Sequence, residues 1–217
     1  MSKFVVHSAP VSPFGRAVLA TLEEKEATYR FSPVEDFKAE PHTSRHPFGR
    51  VPVLEHDGFV LYETQAIIRY LDRILPEPAL TPNDAQCAAR MDQVMSINDW
   101  YLFPGLANVI VWQRIVGPRL MGLIPDESAI AAVVPKGLVV FGELSRLLGD
   151  RPYFAGEAVS LADLLLASQI DFFAQTPEWA PLTDANSNVA DWHVRMQSRS
   201  SMKATTWDKV AEMAGAA

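Results

Sequence analysis

With 217 residues, 24.0 kDa and 48% hydrophobic composition, the chain has apolar content for one large domain or two small ones, which excludes a disordered chain. Its net charge of -7 and scattered Lys and Arg offer no basic face for nucleic acid, and a lone cysteine, Cys87, excludes an intrachain disulfide framework, a dithiol redox centre and a cysteine-rich metal site. Apolar runs such as 137–141 fall short of the roughly 20 residues that cross a bilayer, so a soluble, cytoplasmic protein with no membrane partner is expected. In chain order, Lys3 to His7 is short, apolar and β-branched and predicts a buried strand. Phe14, Val18, Leu19 and Leu22 then repeat at helical spacing, with Ser12 as cap and Pro13 at the first helical position, so a helix is predicted from Phe14 to about Lys25. Tyr29 to Val34 predicts a second strand. The run from Val51 to Glu55, the Asp57-Gly58 pair and the run from Phe59 to Tyr62 predict a hairpin. Ala66, Ile67, Tyr70, Leu71, Ile74 and Leu75 mark one face of a helix that starts at Glu63 and that Pro76 stops.

Residues 76–84 carry three prolines, the composition of a stiff linker. The expected division is therefore a βαβ–ββα domain over 1–76, a linker over 77–84 and an all-helical domain over 85–217. In that second domain helical patterns run from about Ala85 to Val116, Asp126 to Leu148, Leu161 to Phe173 and Val189 to Gln197.

Four segments stand in an order that resembles the cytosolic glutathione transferases: Ser8-Ala-Pro-Val-Ser-Pro-Phe-Gly-Arg16, Arg45-His-Pro-Phe-Gly-Arg-Val-Pro-Val53, Leu61-Tyr-Glu-Thr-Gln-Ala-Ile67 and Ser160-Leu-Ala-Asp163. The resemblance covers nearly the whole chain and is greatest to the serine-dependent phi and theta branches. It implies an α/β thioredoxin-like first domain that holds glutathione, followed by an all-α domain that holds a hydrophobic electrophile. The chain has no Cys-x-x-Cys at its first strand-to-helix turn, no cysteine where the cysteine-dependent classes carry one, and no tyrosine before Tyr29.

By its neighbours alone Ser12 is a helix cap. The resemblance gives its hydroxyl a second role, stabilising the glutathione thiolate, with Arg16 one turn later either adding positive potential or lying solvated at the surface. Glu63 and Thr64 read locally as a first-turn acid and a capping hydroxyl; the resemblance makes them the partners of the γ-glutamyl ammonium and carboxylate. It also implies that Val51, held extended before Pro52, pairs its backbone with the cysteinyl part of glutathione, that Pro52 is cis, and that Lys38 reaches the glycyl carboxylate. Arg50 and His46 are weaker candidates for glutathione contact. Ser160 and Asp163 fit a structural capping box. Tyr101 and Trp112, in an aromatic group with Trp100 and Phe103, are candidates for the electrophile pocket or for core packing.

Histidine spacing implies no metal, and no glycine-rich phosphate loop is present, so no cofactor is expected beyond glutathione as co-substrate. The expected reaction is attack of glutathione thiolate on an electrophilic carbon, or on a peroxide oxygen, by a homodimer. A non-catalytic binding module of the same fold and a glutathione-dependent isomerase are the alternatives. The chain lacks the Ser-Ser-Cys start of the zeta class, which counts against the isomerase.

Overall fold

A computed structural model describes residues 4–215. They form two compact units, one ending at Leu80 and taking in the chain again from Ser198, the other Thr81–Gln197.

In the first unit, β1 (Phe4–Ser8), α1 (Pro13–Glu24) and β2 (Tyr29–Pro33) form the expected βαβ, while Lys3 lies outside the described residues. A short helix that the sequence does not announce, α2 (His42–Arg45), precedes β3 (Val53–His56), β4 (Phe59–Tyr62) and α3 (Thr64–Ile74). The sheet order is β2-β1-β3-β4, with β1 parallel to β2 and antiparallel to β3, and β3 antiparallel to β4. This is the thioredoxin-like arrangement. Asp57 and Gly58 take φ of +49° and +83°, the left-handed turn that an Asp-Gly pair makes cheaply between two strands. Apolar Phe4, Val6, Phe31, Val53 and Leu54 of the sheet are buried, as are Val18, Leu19 and Leu22 of α1 and Ile67, Ile68 and Leu71 of α3. The helical repeat of these residues turns one stripe of each helix inward, and α1 packs on both β1 and α3.

The proline-rich segment does not behave as a free linker over all of 77–84. Lys25 at the end of α1 is buried, and its Nζ lies 2.6 Å from Asp72 Oδ1 of α3 and 2.5 Å from the Pro78 carbonyl. Asp72 also accepts the Leu80 N–H at 3.0 Å, and Leu80 is itself buried. These bonds build the chain as far as Leu80 into the first unit. The end of the chain departs from the expected helical domain over 85–217 in the same way. Both α11 (Ser200–Ala204), against α1, and α12 (Trp207–Gly215), against β2, belong to the first unit. The Glu24 carboxylate accepts from Arg199 Nε and Nη2, each at 2.7 Å, and from the Ser201 hydroxyl at 2.5 Å.

The second unit is helical throughout. It opens with α4 (Ala85–Ile97), capped by Asp84, whose carboxylate accepts the Gln86 and Cys87 amides at 3.0 and 2.9 Å. The expected single helix to Val116 is broken: wide turns follow over Asn98–Ala107, and Pro104 (ψ 122°) and Gly105 (φ +69°) leave helical geometry inside them. Pro104 cannot donate to the helix, and Asn108 Oδ1 takes up the freed Gly105 N–H at 2.7 Å. Next come α5 (Asn108–Val111), the turn Trp112–Val116, α6 (Gly117–Met121), α7 (Glu127–Leu148), α8 (Leu161–Phe173), α9 (Trp179–Thr183) and α10 (Ser187–Gln197).

Among the described residues one helix, the 22-residue α7, is long and apolar enough by length and composition to cross a membrane, contrary to the reading of short apolar runs. Its buried residues Ile130, Gly137, Val140, Phe141, Leu144, Leu147 and Leu148 recur at helical spacing and pack on α5, α9 and α10, as in the core helix of a globular unit. At the start of α8, Ser160 and Asp163 form the capping box: Asp163 Oδ2 accepts the Ser160 N–H at 2.9 Å and its hydroxyl at 2.6 Å. The other oxygen, Oδ1, accepts the Phe154 N–H at 3.0 Å and the Trp192 indole N–H at 2.9 Å. Burial pushes the Asp163 carboxyl above its ordinary pKa even against these four donors.

Candidate functional site

Strand register decides which turns lie side by side. Ser8, the last residue of β1, pairs with Pro33, the last of β2; His7 pairs with Val53, the first of β3; and Val53 pairs with Tyr62, the last of β4. The turn after β1 with Ser12, the segment 34–52, and the turn after β4 with Glu63 and Thr64 therefore all emerge at one end of the sheet. The N-termini of α1 and α3 lie at that same end, and each carries partial positive charge that favours an anion.

Ser12 is half-buried, in extended conformation (φ -74°, ψ 115°), and its Oγ accepts the Gly15 N–H at 3.1 Å. The cap uses an oxygen lone pair. The hydroxyl hydrogen stays available to an acceptor outside the helix. Gly15 permits a close approach here, because a Cβ on it would lie 2.1 Å from Ser8 Oγ. Arg16 is not the solvated surface arginine of one of the two sequence readings: it is buried at 4% exposure and donates to the Met202 carbonyl at 3.0 Å.

At the second turn the Val51-Pro52 peptide bond is cis, and the backbone of Val51 stands outside β3. Arg50 and Lys38 have exposed side chains. The Arg50 carbonyl accepts from His42 Nε2 at 2.8 Å. His46 is buried at 2% exposure, with its ring on Tyr62 at a centroid separation of 4.6 Å, so it lies beneath this surface rather than on it. Burial holds its pKa below the ordinary histidine value, against the opposing charge of Glu63.

At the third turn Glu63 takes φ +71° and ψ 116°, a left-handed backbone on a residue with a side chain, which costs on the order of 1–3 kcal/mol. It makes no side-chain cap bond, unlike Ser12, Asp84 and Asp126 at the starts of α1, α4 and α7. The local reading of this turn as a self-capped helix start is thus not realised. The Glu63 carbonyl accepts the Ile67 N–H of α3 at 3.0 Å. Glu63 is exposed and Thr64 buried at 7%. In the second unit Tyr101 and Trp112 are 58% and 42% exposed, so neither is core.

Residues 6–79 match the glutathione S-transferase N-terminal domain family and residues 109–200 the glutathione S-transferase C-terminal domain family. The glutathione S-transferase hmp2 of Hypomyces subiculosus is 32% identical over 203 residues, which are 88% of this chain and 91% of that protein. The chain belongs to the glutathione S-transferase family. A probable glutathione S-transferase of Oryza sativa subsp. japonica is 30% identical over 187 residues, covering 84% of this chain and 86% of its own. Glutathione transferase F7 from Populus trichocarpa superposes with a TM-score of 0.84 at 28% identity, covering 97% of this chain and 99% of that one. The structure of glutathione S-transferase-I bound with lactoylglutathione gives a TM-score of 0.83 at 26% identity, with 98% and 100% covered.

Within this glutathione S-transferase, Ser12, Val51, Pro52, Glu63 and Thr64 belong to turns at one end of the first unit's sheet, and Tyr101 and Trp112 belong to the second unit. The contacts of His42 with the Arg50 carbonyl and of the Tyr62 ring with His46 are not legible in the sequence. A histidine in a polar, proline-containing stretch carries no local signal when its partner is a backbone carbonyl.

Proposed function

We propose that the protein is a glutathione transferase in which Ser12 stabilises the thiolate of bound glutathione for attack on a hydrophobic electrophile. The observation that carries this is the register-aligned set of three turns, with a hydroxyl free to donate at one helix N-terminus and an uncapped, strained N-terminus at the other. An ordinary cysteine-type thiol has a pKa of about 8.5, and lowering it by about two units takes roughly 2.7 kcal/mol. A helix N-terminus supplies about 0.3 to 1 kcal/mol and a hydrogen bond to a charged group about 1.5 to 3 kcal/mol, so together they suffice. Glu63 takes the γ-glutamyl ammonium, and Thr64 with the first amides of α3 takes the carboxylate beside it. Val51 pairs its backbone with the cysteinyl part, and Lys38 and Arg50 face the glycyl carboxylate. Tyr101 and Trp112, exposed on the second unit, serve the electrophile. The protein acts as a cytoplasmic homodimer with no cofactor besides glutathione, in a detoxifying conjugation.

The test is the pH–rate profile for conjugation at saturating glutathione. Removing the hydroxyl in Ser12→Ala is expected to raise the bound thiol's pKa by about one to two units and lower the neutral-pH rate by about one to two orders of magnitude, part of which returns at higher pH. Superimposable profiles would reduce Ser12 to a helix cap. Failure of the protein to be retained on immobilised glutathione would favour a non-catalytic module.

A further inference from the structure

Two buried histidines stand under the segment 46–52 with no part in the chemistry above. His42, on α2, is 3% exposed, and a carbonyl can only accept, so its Nε2 carries the hydrogen donated to the Arg50 carbonyl at 2.8 Å. Its Nδ1 is buried without a hydrogen-bond partner, and so is that of His46. The two residues are joined through the backbone: the His46 N–H donates to the His42 carbonyl at 2.9 Å, and the His46 carbonyl accepts the Gly49 N–H at 2.9 Å. The His46 ring lies on Tyr62, and Phe48 meets Tyr62 edge-on at 6.2 Å.

Each ring therefore holds a different turn. The His42 bond fixes the chain direction at Arg50, immediately before Val51. The His46–Tyr62 contact anchors the last residue of β4, immediately before Glu63. A backbone carbonyl tied to a side chain and an aromatic pair tied to a strand end restrain both turns before any ligand arrives, which cuts the ordering cost of binding.

We propose that His42 and His46 are positioning residues for glutathione, His42 setting the edge at Arg50, Val51 and Pro52 and His46 the segment from Tyr62 to Thr64. This rests on the glutathione reading of those turns. The two histidines do not touch glutathione or the reacting sulfur, so their loss weakens binding without altering the bound thiol.

The test uses the full-length protein. A glutamine can present its amide nitrogen where His42 Nε2 stands, whereas the shorter asparagine cannot. His42→Asn is expected to raise the Kd and KM for glutathione about three- to tenfold, to leave kcat at saturating glutathione and the bound thiol's pKa unchanged within error, and to speed amide hydrogen exchange at Val51. His42→Gln should restore most of the affinity. His46→Phe, which keeps a ring on Tyr62, should hold affinity that His46→Ala loses, with faster exchange at Thr64 in the alanine variant. Unchanged affinity in folded His42→Asn, equal loss in the Asn and Gln variants, or a changed thiol pKa would overturn the proposal. If the wild-type protein does not bind glutathione, the functional reading falls by itself; exchange at Val51 and Thr64 then decides between restraint of these turns and no restraint.

Discussion

Replacing Asp163 by alanine is expected to cost far more than the loss of a helix cap. An N-cap residue contributes about 0.5 to 2 kcal/mol, and that is what the Ser160–Asp163 spacing alone would suggest. The structure adds two donors from outside the box, the Phe154 N–H at 3.0 Å and the Trp192 indole at 2.9 Å, both on Oδ1. Alanine would leave three N–H groups, those of Phe154, Ser160 and Trp192, buried around a vacated carboxylate. Only the Ser160 hydroxyl can turn to another partner. At about 1 to 3 kcal/mol for each stranded donor, less what relaxation or an entering water returns, the loss is about 3–5 kcal/mol. For a chain of this size, at about 2–4 °C per kcal/mol, the midpoint of thermal unfolding should fall by about 10 °C. Asp163→Asn should recover part of the loss, because its amide oxygen can still accept from Phe154 and Trp192 while its NH2 group is turned toward the Ser160 N–H. Thermal denaturation followed by circular dichroism measures the loss, and calorimetric titration of the folded variant should give nearly wild-type glutathione affinity. A midpoint within about 2 °C of wild type would refute the reasoning that the four bonds act as one buried cluster.

Glu63→Ala should weaken glutathione binding more than Ser12→Ala does, since it removes an ionic partner rather than a contact to the thiolate; calorimetry giving the reverse order would overturn the γ-glutamyl assignment. Sedimentation at micromolar protein should return twice the 24.0 kDa chain mass, and a monomeric mass would sink the dimer. Acid should destabilise the first unit through His7, whose Nε2 lies 2.6 Å from Glu55 Oε2 and whose pKa burial lowers from 6.5. The unfolded chain then takes up this proton first, so the His7 contribution is fully present above about pH 6.5 and is lost as pH falls through the lower folded value. Glu55, held below its ordinary 4.5 chiefly by the His7 bond, adds a second loss at lower pH. Urea titrations between pH 7.5 and 5 should show the first decline, and His7→Leu should flatten it; an unchanged slope in that variant would show that other groups carry the acid limb.

What the sequence determined by itself was whatever acts within a few residues. Asp57-Gly58 dictates its hairpin because the backbone those two residues favour is the one the turn needs. Ser12-Pro13 starts α1, and Ser160 with Asp163 starts α8, because cap and partner are three residues apart. Apolar repeats at helical or alternating spacing carried the order of elements, and four short motifs together carried the family. The helical pattern expected from Ala85 to Val116 runs through Pro104-Gly105, where the chain leaves helical geometry.

Only the tertiary structure decided which distant groups meet. Arg16 finds the Met202 carbonyl across 186 positions, Asp163 gains Trp192 across 29, and Lys25 reaches Asp72 across 47, none of which any local pattern encodes. The same holds for the site. Ser12, Val51 and Glu63 share one end of the sheet because β3 starts beside the end of β1 and β4 ends beside the start of β3, a consequence of strand register. The physical reason is that local preferences fix backbone angles over a turn or two, whereas the choice of long-range partner is made by burial, when the apolar faces close and each enclosed polar group must find whatever donor or acceptor the packing brings to it.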